Sequence, residues 1–335
     1  MVDIRTVRDP LAAPVAQAVR SLAERAHEVD GVPPLSEQPL LWLSDAAAPA
    51  AHLLAEGPDG ALLGYAQLDL RASEGATAEI AVDPAARRQG VGRSLVESAQ
   101  ALAAERAGRL TAWAHGDLPA AQALAATVGM EPVQELWQMR MPLAPGPAAG
   151  AEQAEEPRPD PATQDGGRLP AGVTLAAGVT LPAGVTVREF VPGQDEDAWV
   201  RLNARAFADH PTQGRLTRTD LLAREAEPWF DATGFWLAER DGRLLGSMWT
   251  KVAEPGVGEI YALGIDPDAQ GLGLGGALTA LAVQALRDRG LETAELYTSG
   301  DNHRAIRTYA RAGFARSSLD VMYGTPAPIT PSVTR

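Results

Sequence analysis

Apolar and polar positions along the chain run through the same order of elements twice. In the first half, helical spacing extends from Leu11 to Glu28 and stops at the turn Asp30-Gly31-Val32-Pro33-Pro34. A second helix is expected to start near Ser36, with Glu37 in its first turn. Ala51 to Glu56 and Ala61 to Leu70 read as strands joined through an Asp-Gly hairpin turn, and a third strand ends at Val82. A helix from Val91 to Ala107, a strand from Arg109 to Ala114, a helix from Pro119 to Thr127 and a strand from Pro132 to Met141 complete this half.

The second half repeats the order. Val185 to Phe190 reads as a strand and Asp195 to Phe207 as a helix, followed by a helix from Thr219 to Glu225 with a threonine cap. Strands from Phe235 to Arg240 and Arg243 to Val252 flank Asp241-Gly242, and the next strand carries Glu259. A helix from Gly276 to Arg289, a strand from Thr293 to Thr298, a helix from His303 to Ala312 and a strand from Phe314 to Tyr323 follow.

The two halves match residue by residue. At one constant offset Asp266 falls on Asp83, Gly273 on Gly90 and Gly275 on Gly92; with one residue inserted, Asp301 falls on Asp117 and Gly313 on Gly129. Matches in register across most of a domain indicate a tandem duplication. Between the halves, Pro145 to Gly184 is rich in Ala, Pro, Gly and Glu and carries three hexads that begin at Leu169, Leu175 and Leu181, so an extended linker is expected. The expected architecture is α/β (α+β): two tandem domains at 1–144 and 185–325, each a mixed, mostly antiparallel sheet flanked by helices, with a linker at 145–184 and a tail at 326–335.

Composition narrows the chemistry. The length of 335 residues suits two domains, and 45% hydrophobic residues can fill both cores. A formal charge of −14 disfavours nucleic acid and suits a cationic or neutral polar substrate. No cysteine is present, which excludes disulfides and thiolate-ligated metals, and no metal is expected. Met1 to Arg5 lacks a signal-peptide core and no stretch reaches membrane-spanning length, so a soluble, cytoplasmic, monomeric protein is the expectation. Lys251 is the single lysine among 29 basic residues; it is either kept for its compact ammonium or a chance survivor on a strand face.

The sharpest local signal is a strand that runs into Gln270-Gly271-Leu272-Gly273-Leu274-Gly275-Gly276, echoed by Arg88-Gln89-Gly90-Val91-Gly92-Arg93 after Ile80-Ala81-Val82. Glycines strip side chains from each turn, and the helix start supplies unpaired N–H groups and a positive dipole end; the result is a phosphate cradle, the alternative being a tight strand-to-helix turn with no ligand. No Gly-Lys-Ser/Thr follows, and the glycine spacing does not fit a dinucleotide fingerprint. The pattern Arg/Gln-x-x-Gly-x-Gly resembles the acetyl-CoA pyrophosphate loop of the GNAT acetyltransferase superfamily.

Acetyl transfer from a thioester to an amine needs a proton acceptor, an oxyanion donor and a proton for the departing thiolate. In the second copy Glu259 could take the amine proton, the N–H of Leu263 or Gly264 could polarise the carbonyl, and Tyr309 could protonate the sulfur. Each has a structural alternative: Glu259 as a solvated strand-end carboxylate, Tyr309 as a ring packed on the sheet. Trp236 and Trp249 could line the cleft, and His303 reads as an exposed helix-start residue. In the first copy Glu259 aligns with Ala76, Tyr309 with Ala125 and Asn302 with Leu118, while nearby Glu79 is out of register. The second copy is therefore the expected catalyst; the first either binds acetyl-CoA without turnover or braces its partner.

A tandem chain with an eroded first copy resembles the mycothiol synthase family of actinobacteria. The resemblance is carried by Ala206 to Gly214, Glu227 to Asp231, Trp249 to Val252, Gly258 to Tyr261, Arg307 to Tyr309, Val29 to Val32 and Ser36 to Gln38. It implies acetylation of the cysteinyl amine of a cysteine–glucosamine–inositol conjugate, with Glu259 as base and Tyr309 as acid. It further implies that Glu37, Thr212, Lys251, Glu259 and Tyr297 meet this acceptor. Acetyl-CoA would be held by Leu263, Gly264 and Ile265, by Gln270, Gly271, Leu272, Gly273, Leu274, Gly275 and Gly276, and by Asn302, His303, Arg304, Ala305, Ile306 and Arg307. In the first copy Ile80, Ala81, Val82, Arg88, Gln89, Gly90, Val91, Gly92 and Arg93 would do likewise. Two positions depart from the family: Thr212 stands where a glutamate is usual, with Asp209 close by, and Leu272 where a basic residue is common. The rival readings are another tandem GNAT N-acetyltransferase for a small amine and a non-catalytic acetyl-CoA sensor.

Overall fold

The computed structural model describes residues 3–143, 180–208 and 213–326. Most of the expected linker, the segment from Asp209 to Thr212 and nearly all of the expected tail lie outside these residues. The described chain forms two compact units: one holds residues up to Trp137, Ser299–Asp301 and the stretch from Ser318; the other holds Gln138–Thr298 and Asn302–Ser317.

In the first unit, β1 (Asp3–Val7) leads into α1 (Ala13–Asp30) and the short α2 (Glu37–Leu41). Then come β2 (Ala50–Glu56), β3 (Leu62–Asp69), β4 (Ala76–Val82), α3 (Val91–Glu105), β5 (Leu110–Ala114), α4 (Pro119–Thr127) and β6 (Glu131–Pro142), which passes into the second unit at Gln138. Each helix boundary has a local cause. A proline opens α1 and Gly31, at φ 71°, closes it in the left-handed conformation, where a side chain would be strained. β1 was not expected from the sequence: it is only five residues long and is fixed by antiparallel pairing with the distant β2. The sheet runs β1-β2-β3-β4-β5 and ends on a strand from the far end of the chain, with β4 and β5 parallel across the α3 crossover. The chain's last strand, β12 (Ala315–Gly324), thus completes this unit, pairing Val321–Gly324 with Thr111–Ala114 of β5.

The second unit contains β7 (Thr186–Glu189), α5 (Glu196–Ala206), α6 (Arg218–Glu225), β8 (Phe235–Arg240), β9 (Arg243–Glu254), β10 (Val257–Ile265), α7 (Leu274–Asp288), β11 (Thr293–Ser299) and α8 (His303–Ala312). Its sheet runs β6-β11-β10-β9-β8-β7, β6 contributing from Gln138. Asp241 and Gly242 both take positive φ, 53° and 74°, as the two-residue β8–β9 hairpin requires. The cap of α6 is Thr217 rather than Thr219. Thr217 accepts from the Asp220 N–H while Asp220 accepts from the Thr217 N–H, a reciprocal box that Thr219 is too late in sequence to form. Phe190, Trp199, Leu221, Phe235, Leu237 and Trp249 form the core under α5 and α6.

Candidate active site

Alternation along β10 leaves Glu259, Tyr261 and Leu263 partly accessible and buries Ile260, Ala262 and Gly264. Its parallel register with β11 runs from Val257–Thr293 to Ile260–Leu296 and ends there, while β10 continues beside β9 to Ile265. The strands part just past Glu259, where the backbone of Tyr261 to Ile265 turns from ladder to open edge. A bulge at Tyr261 in the β9–β10 pairing adds a local twist.

Around this opening the structure gathers charge and aromatic surface. Lys251 stands opposite Glu259 on β9, its Nζ 3.7 Å from Oε2, with side chains 14% and 12% exposed. The ammonium also lies 4.7 Å from the ring centre of Trp229 and 4.5 Å from that of Tyr261, within cation–π range of both. Tyr261 is held in turn: Arg224 Nε donates to its hydroxyl at 2.6 Å, and its ring meets those of Trp229 and Trp249. On the β11 side, Glu295 faces Glu259 in register and accepts from Arg140 Nε at 2.8 Å and Gln138 Nε2 at 3.2 Å. The same amide lies 2.9 Å from the hydroxyl of the exposed Tyr297.

The cradle follows directly. Asp266 accepts from the Asp268 N–H and fixes a tight turn, and Arg205 and Arg243 both bridge Asp266 and Asp268. The Arg205 guanidinium, ahead of burial, sets the direction for the Asp266 carboxyl, which is held below the usual range. Gly271 and Gly273 take φ of 87° and 85°, a conformation that strains any side chain. Gly273 is the cap of α7 and offers no side-chain oxygen, so the first-turn amides of Leu274, Gly275 and Gly276 face outward uncapped. The helix starts at Leu274, two residues before the expected Gly276, because these glycines enter its first turn. This is where the residues fit a pyrophosphate: open amides, a positive helix end and no Cβ in the way. Leu272 is exposed at the rim, and Arg304 of α8 donates to Gln270 Oε1 at 2.7 Å, bringing a cation to the same loop. Asn302 caps α8 by accepting from Ala305 N–H, and His303 is exposed, as expected. Gly264 meets α5: a Cβ there would lie 3.1 Å from Phe207 and 3.2 Å from Ala206.

Tyr309 sits on α8, 8% exposed, its ring edge-on to Phe314. Burial pushes its hydroxyl up to about 12, so it keeps its proton at any physiological pH. Trp236 and Trp249 are not cleft residues. Both are buried, and Trp249 stacks on Phe235 at 4.5 Å, because large apolar surface on central strands is drawn into the core. Trp229, which sequence reasoning left without a role, is the tryptophan that meets the site; its only signal was its place in Glu227–Asp231.

The first copy keeps the cradle. Asp83 accepts from Ala85 N–H, Gly90 caps α3 at φ 88°, and Arg88 takes a positive φ of 62° where the second copy has Gly271. Ile80 to Val82 lie past the last β4–β5 pair, Glu79–Trp113. Arg87, at the position of Gln270, forms two bonds to Asp30. The β3–β4 register carries no bulge, and Ala76 and Ala125 replace the acidic and phenolic side chains. Glu79 nevertheless has a defined role. It accepts from Ser36 N–H at 2.6 Å, from Ser36 Oγ at 2.7 Å and from His115 Nε2 at 3.2 Å, while His115 Nδ1 reaches Asp320 at 3.0 Å. Burial alone would push Glu79 up, but His115 and Ser36 hold it below its ordinary range; burial would push His115 down, but Asp320 and Glu79 hold it at about 10. With carboxylates at both nitrogens, the ring donates from both as an imidazolium. Ser36 heads α2 without capping it, since its hydroxyl is committed to Glu79.

Among the described residues, no group of three or more His, Cys, Asp or Glu side chains is placed to hold a metal, and no helix is long and apolar enough to cross a membrane.

Comparison with known proteins agrees with this geometry. The acetyltransferase (GNAT) family model matches residues 16–130 and again 199–314. The mycothiol acetyltransferase of Cellulomonas flavigena is 52% identical, over 98% of this chain and 91% of its own. That of Sanguibacter keddieii is 51% identical over 98% of both. Among solved structures, a tandem GNAT protein from the clavulanic acid biosynthesis pathway superposes with a TM-score of 0.65 at 20% identity, covering 97% of this chain and all of that one (100%). A GCN5-related N-acetyltransferase from Sphaerobacter thermophilus gives 0.62 at 23%, over 96% and 95%; both show the fold. Two cradles in register, each with its own family match, and half-identical relatives along nearly the whole chain lead to one conclusion: this chain belongs to the mycothiol acetyltransferase family of tandem GNAT N-acetyltransferases.

Proposed function

We propose that the second unit transfers the acetyl group of acetyl-CoA to the cysteinyl amine of a cysteine–glucosamine–inositol conjugate. The observation that carries this reading is the pairing of Glu259 with Lys251 beside the parted β10 and β11 strands, immediately upstream of an uncapped glycine cradle.

The cradle amides from Gln270 to Gly276 and the α8 start from Asn302 to Arg307 bind the pyrophosphate and pantetheine of acetyl-CoA. The amine nitrogen attacks the thioester carbonyl carbon. Glu259 takes the proton released as the N–C bond forms, directly or through one water. The backbone N–H of Leu263 or Gly264, on the open stretch of β10, stabilises the oxyanion. The C–S bond then breaks and Tyr309, kept protonated by burial, gives its proton to the thiolate. Lys251 and Tyr297 meet the hydroxyl-rich acceptor. Thr212, also proposed to meet it, lies outside the described residues, and Glu37 is proposed to do so from α2. The first copy binds acetyl-CoA at Ile80 to Val82 and Arg88 to Arg93 without turning it over, since alanines stand in place of base and acid. No metal takes part. The protein is proposed to act as a cytoplasmic monomer, without nucleic-acid or membrane partners.

The test is CoA release by purified protein. Release with cysteinyl-glucosaminyl-inositol at least a hundredfold faster than with generic amines is expected. Release with generic amines only would point to a different small-amine acetyltransferase; binding without release would point to a sensor.

A further inference from the structure

Resting on the reading of the first cradle above, we propose that the first unit holds coenzyme A by its nucleotide and pyrophosphate with the sulfur end of the arm outside the sheet, so that it takes CoA and any of its thioesters alike. The two copies differ in how far their strands part. In the second unit the parallel register ends at Ile260–Leu296; β10 runs on for five residues, Tyr261 to Ile265, and β11 for three, Tyr297 to Ser299. In the first unit it ends at Glu79–Trp113; β4 runs on for only three residues, Ile80 to Val82, and β5 for one, Ala114. The neighbouring strands put both openings on one scale. Val82 faces Gly64 and Ile265 faces Gly246; three residues further along those strands, Gln67 faces Glu79 and Trp249 faces Ala262. The level of Ala262, past the end of the β10–β11 register, is therefore closed in the first unit by the Glu79–Trp113 rung. The bulge next to that level, at Tyr261, has no counterpart in the β3–β4 register. One rung is roughly 3.3 Å of strand.

That level decides where a thioester goes. In the second unit the carbonyl is proposed to meet the N–H of Leu263 or Gly264, which leaves the acetyl carbon beside Ala262, on the way to Glu259. In the first unit the matching N–H groups are those of Ile80 and Ala81, and the next step along the strand is the closed rung. The rung is sealed as well as paired. The Glu79 side chain is 11% exposed and is tied to Ser36 and His115, and the Trp113 ring lies nearly parallel to that of His115, at 6.4 Å and 14°. Beyond it β5 bends at once into the turn His115–Asp117, pinned where Asp320 accepts from Gly116 N–H at 2.8 Å and from His115 Nδ1 at 3.0 Å. Parting the strands there would pull Glu79 on β4 from His115 just beyond β5, a shielded charged pair that is costly to break. The cradle itself is intact, with Gly90 at φ 88° ahead of the α3 amides. The site thus keeps its phosphate contacts and lacks the room in the sheet for the acyl group. A group that makes no contact adds nothing to discrimination. The first unit then answers to the total of CoA and its thioesters, and the product of transfer occupies it as well as the donor does.

The experiment is calorimetric titration of the full chain carrying Gly273→Val, which blocks the second cradle, with CoA, acetyl-CoA and benzoyl-CoA in turn. The three dissociation constants should agree within about fivefold; a wider spread overturns the inference and leaves the first cradle a ligand site. Should Gly273→Val not fold, the same comparison is read as the difference between the unmodified protein and Gly90→Val. A second readout uses the absence of cysteine from the chain, which makes the thiol of CoA the only one present. With Gly273→Val in sufficient excess that almost all CoA is bound, iodoacetamide should alkylate that thiol within about fivefold of its rate with free CoA. Stronger protection would mean that the sheet encloses the sulfur, and overturns the inference. Binding of none of the three at the first site sinks the first-cradle reading and the inference together.

Discussion

Lys251 and Glu259 are cross-strand partners on β9 and β10, Nζ 3.7 Å from Oε2, in a position where both side chains are largely shielded from water. Exposed ion pairs contribute little, but this one is largely shielded from water and sits where substrate is proposed to bind. Lys251→Ala should raise KM for the acceptor about tenfold or more, with a smaller loss in kcat and little change in KM for acetyl-CoA. Steady-state kinetics with each substrate varied in turn measures the split. A pure kcat effect would remove Lys251 from acceptor binding.

Tyr309 presents the opposite split. Phenylalanine keeps the ring and its edge-on contact with Phe314 and deletes only the hydroxyl, which burial keeps protonated with a pKa of about 12. Tyr309→Phe should lower kcat by about a hundredfold or more while leaving both KM values within a few-fold. An unchanged kcat would make Tyr309 a packing residue and leave the thiolate to be protonated by water.

The cradles should separate by function. A branched side chain at φ near 85° is strained by about 1–2 kcal/mol and also fills the open side of the loop where the pyrophosphate is proposed to bind. Gly273→Val should therefore abolish turnover or raise KM for acetyl-CoA by about a hundredfold. Gly90→Val in the first copy should instead lower the acetyl-CoA bound per chain from about two toward one. Titration calorimetry reads the stoichiometry; a value near one in the unmodified protein would mean that the first cradle holds no ligand.

The Glu79–His115–Asp320 chain makes the stability of the first unit pH-dependent. His115 has its folded pKa raised to about 10 from an ordinary 6.5, so its contribution is fully present below about 6.5 and is lost as pH rises through about 10. Glu79 is held below its ordinary 4.5, so its share is present above that value and is lost as pH falls. His52, lowered to about 4 by burial, costs stability as pH falls from 6.5 toward 4, but equally with and without His115. The difference in melting temperature between the unmodified protein and His115→Gln should thus be greatest near pH 6, about 5 °C, and shrink toward pH 10. A difference independent of pH would mean that the ring is neutral in the folded protein.

What the sequence made legible was local. Asp83 and Asp266 each fix a turn two residues on, and Gly90 and Gly273 each end that turn at the same positive φ, so the repeat was readable from residue types alone. Most helix and strand positions followed from apolar period and hairpin chemistry. What was hidden depends on distant partners. β1 owes its existence to β2. Asp320 reaches His115 across more than half the chain, and the Ser36–Glu79 contact turns a residue judged out of register into an anchor for α2. The Trp229–Lys251–Tyr261 clamp joins a loop to two strands, and nothing in its spacing marks it. Thr217 caps α6 through a reciprocal partner three residues on, Asp220, a pairing that the Thr-x-x-Asp spacing carries.

The most direct measurement is a single-turnover experiment with acetyl-labelled CoA and cysteinyl-glucosaminyl-inositol, comparing the unmodified protein with Glu259→Gln. Glutamine preserves shape but cannot accept the proton, so label should reach the α-amine with the unmodified protein and at least a hundredfold more slowly with the variant, while acetyl-CoA binding is kept. Equal transfer rates, or label on another atom of the acceptor, would contradict the assignment of Glu259 as the base of this reaction.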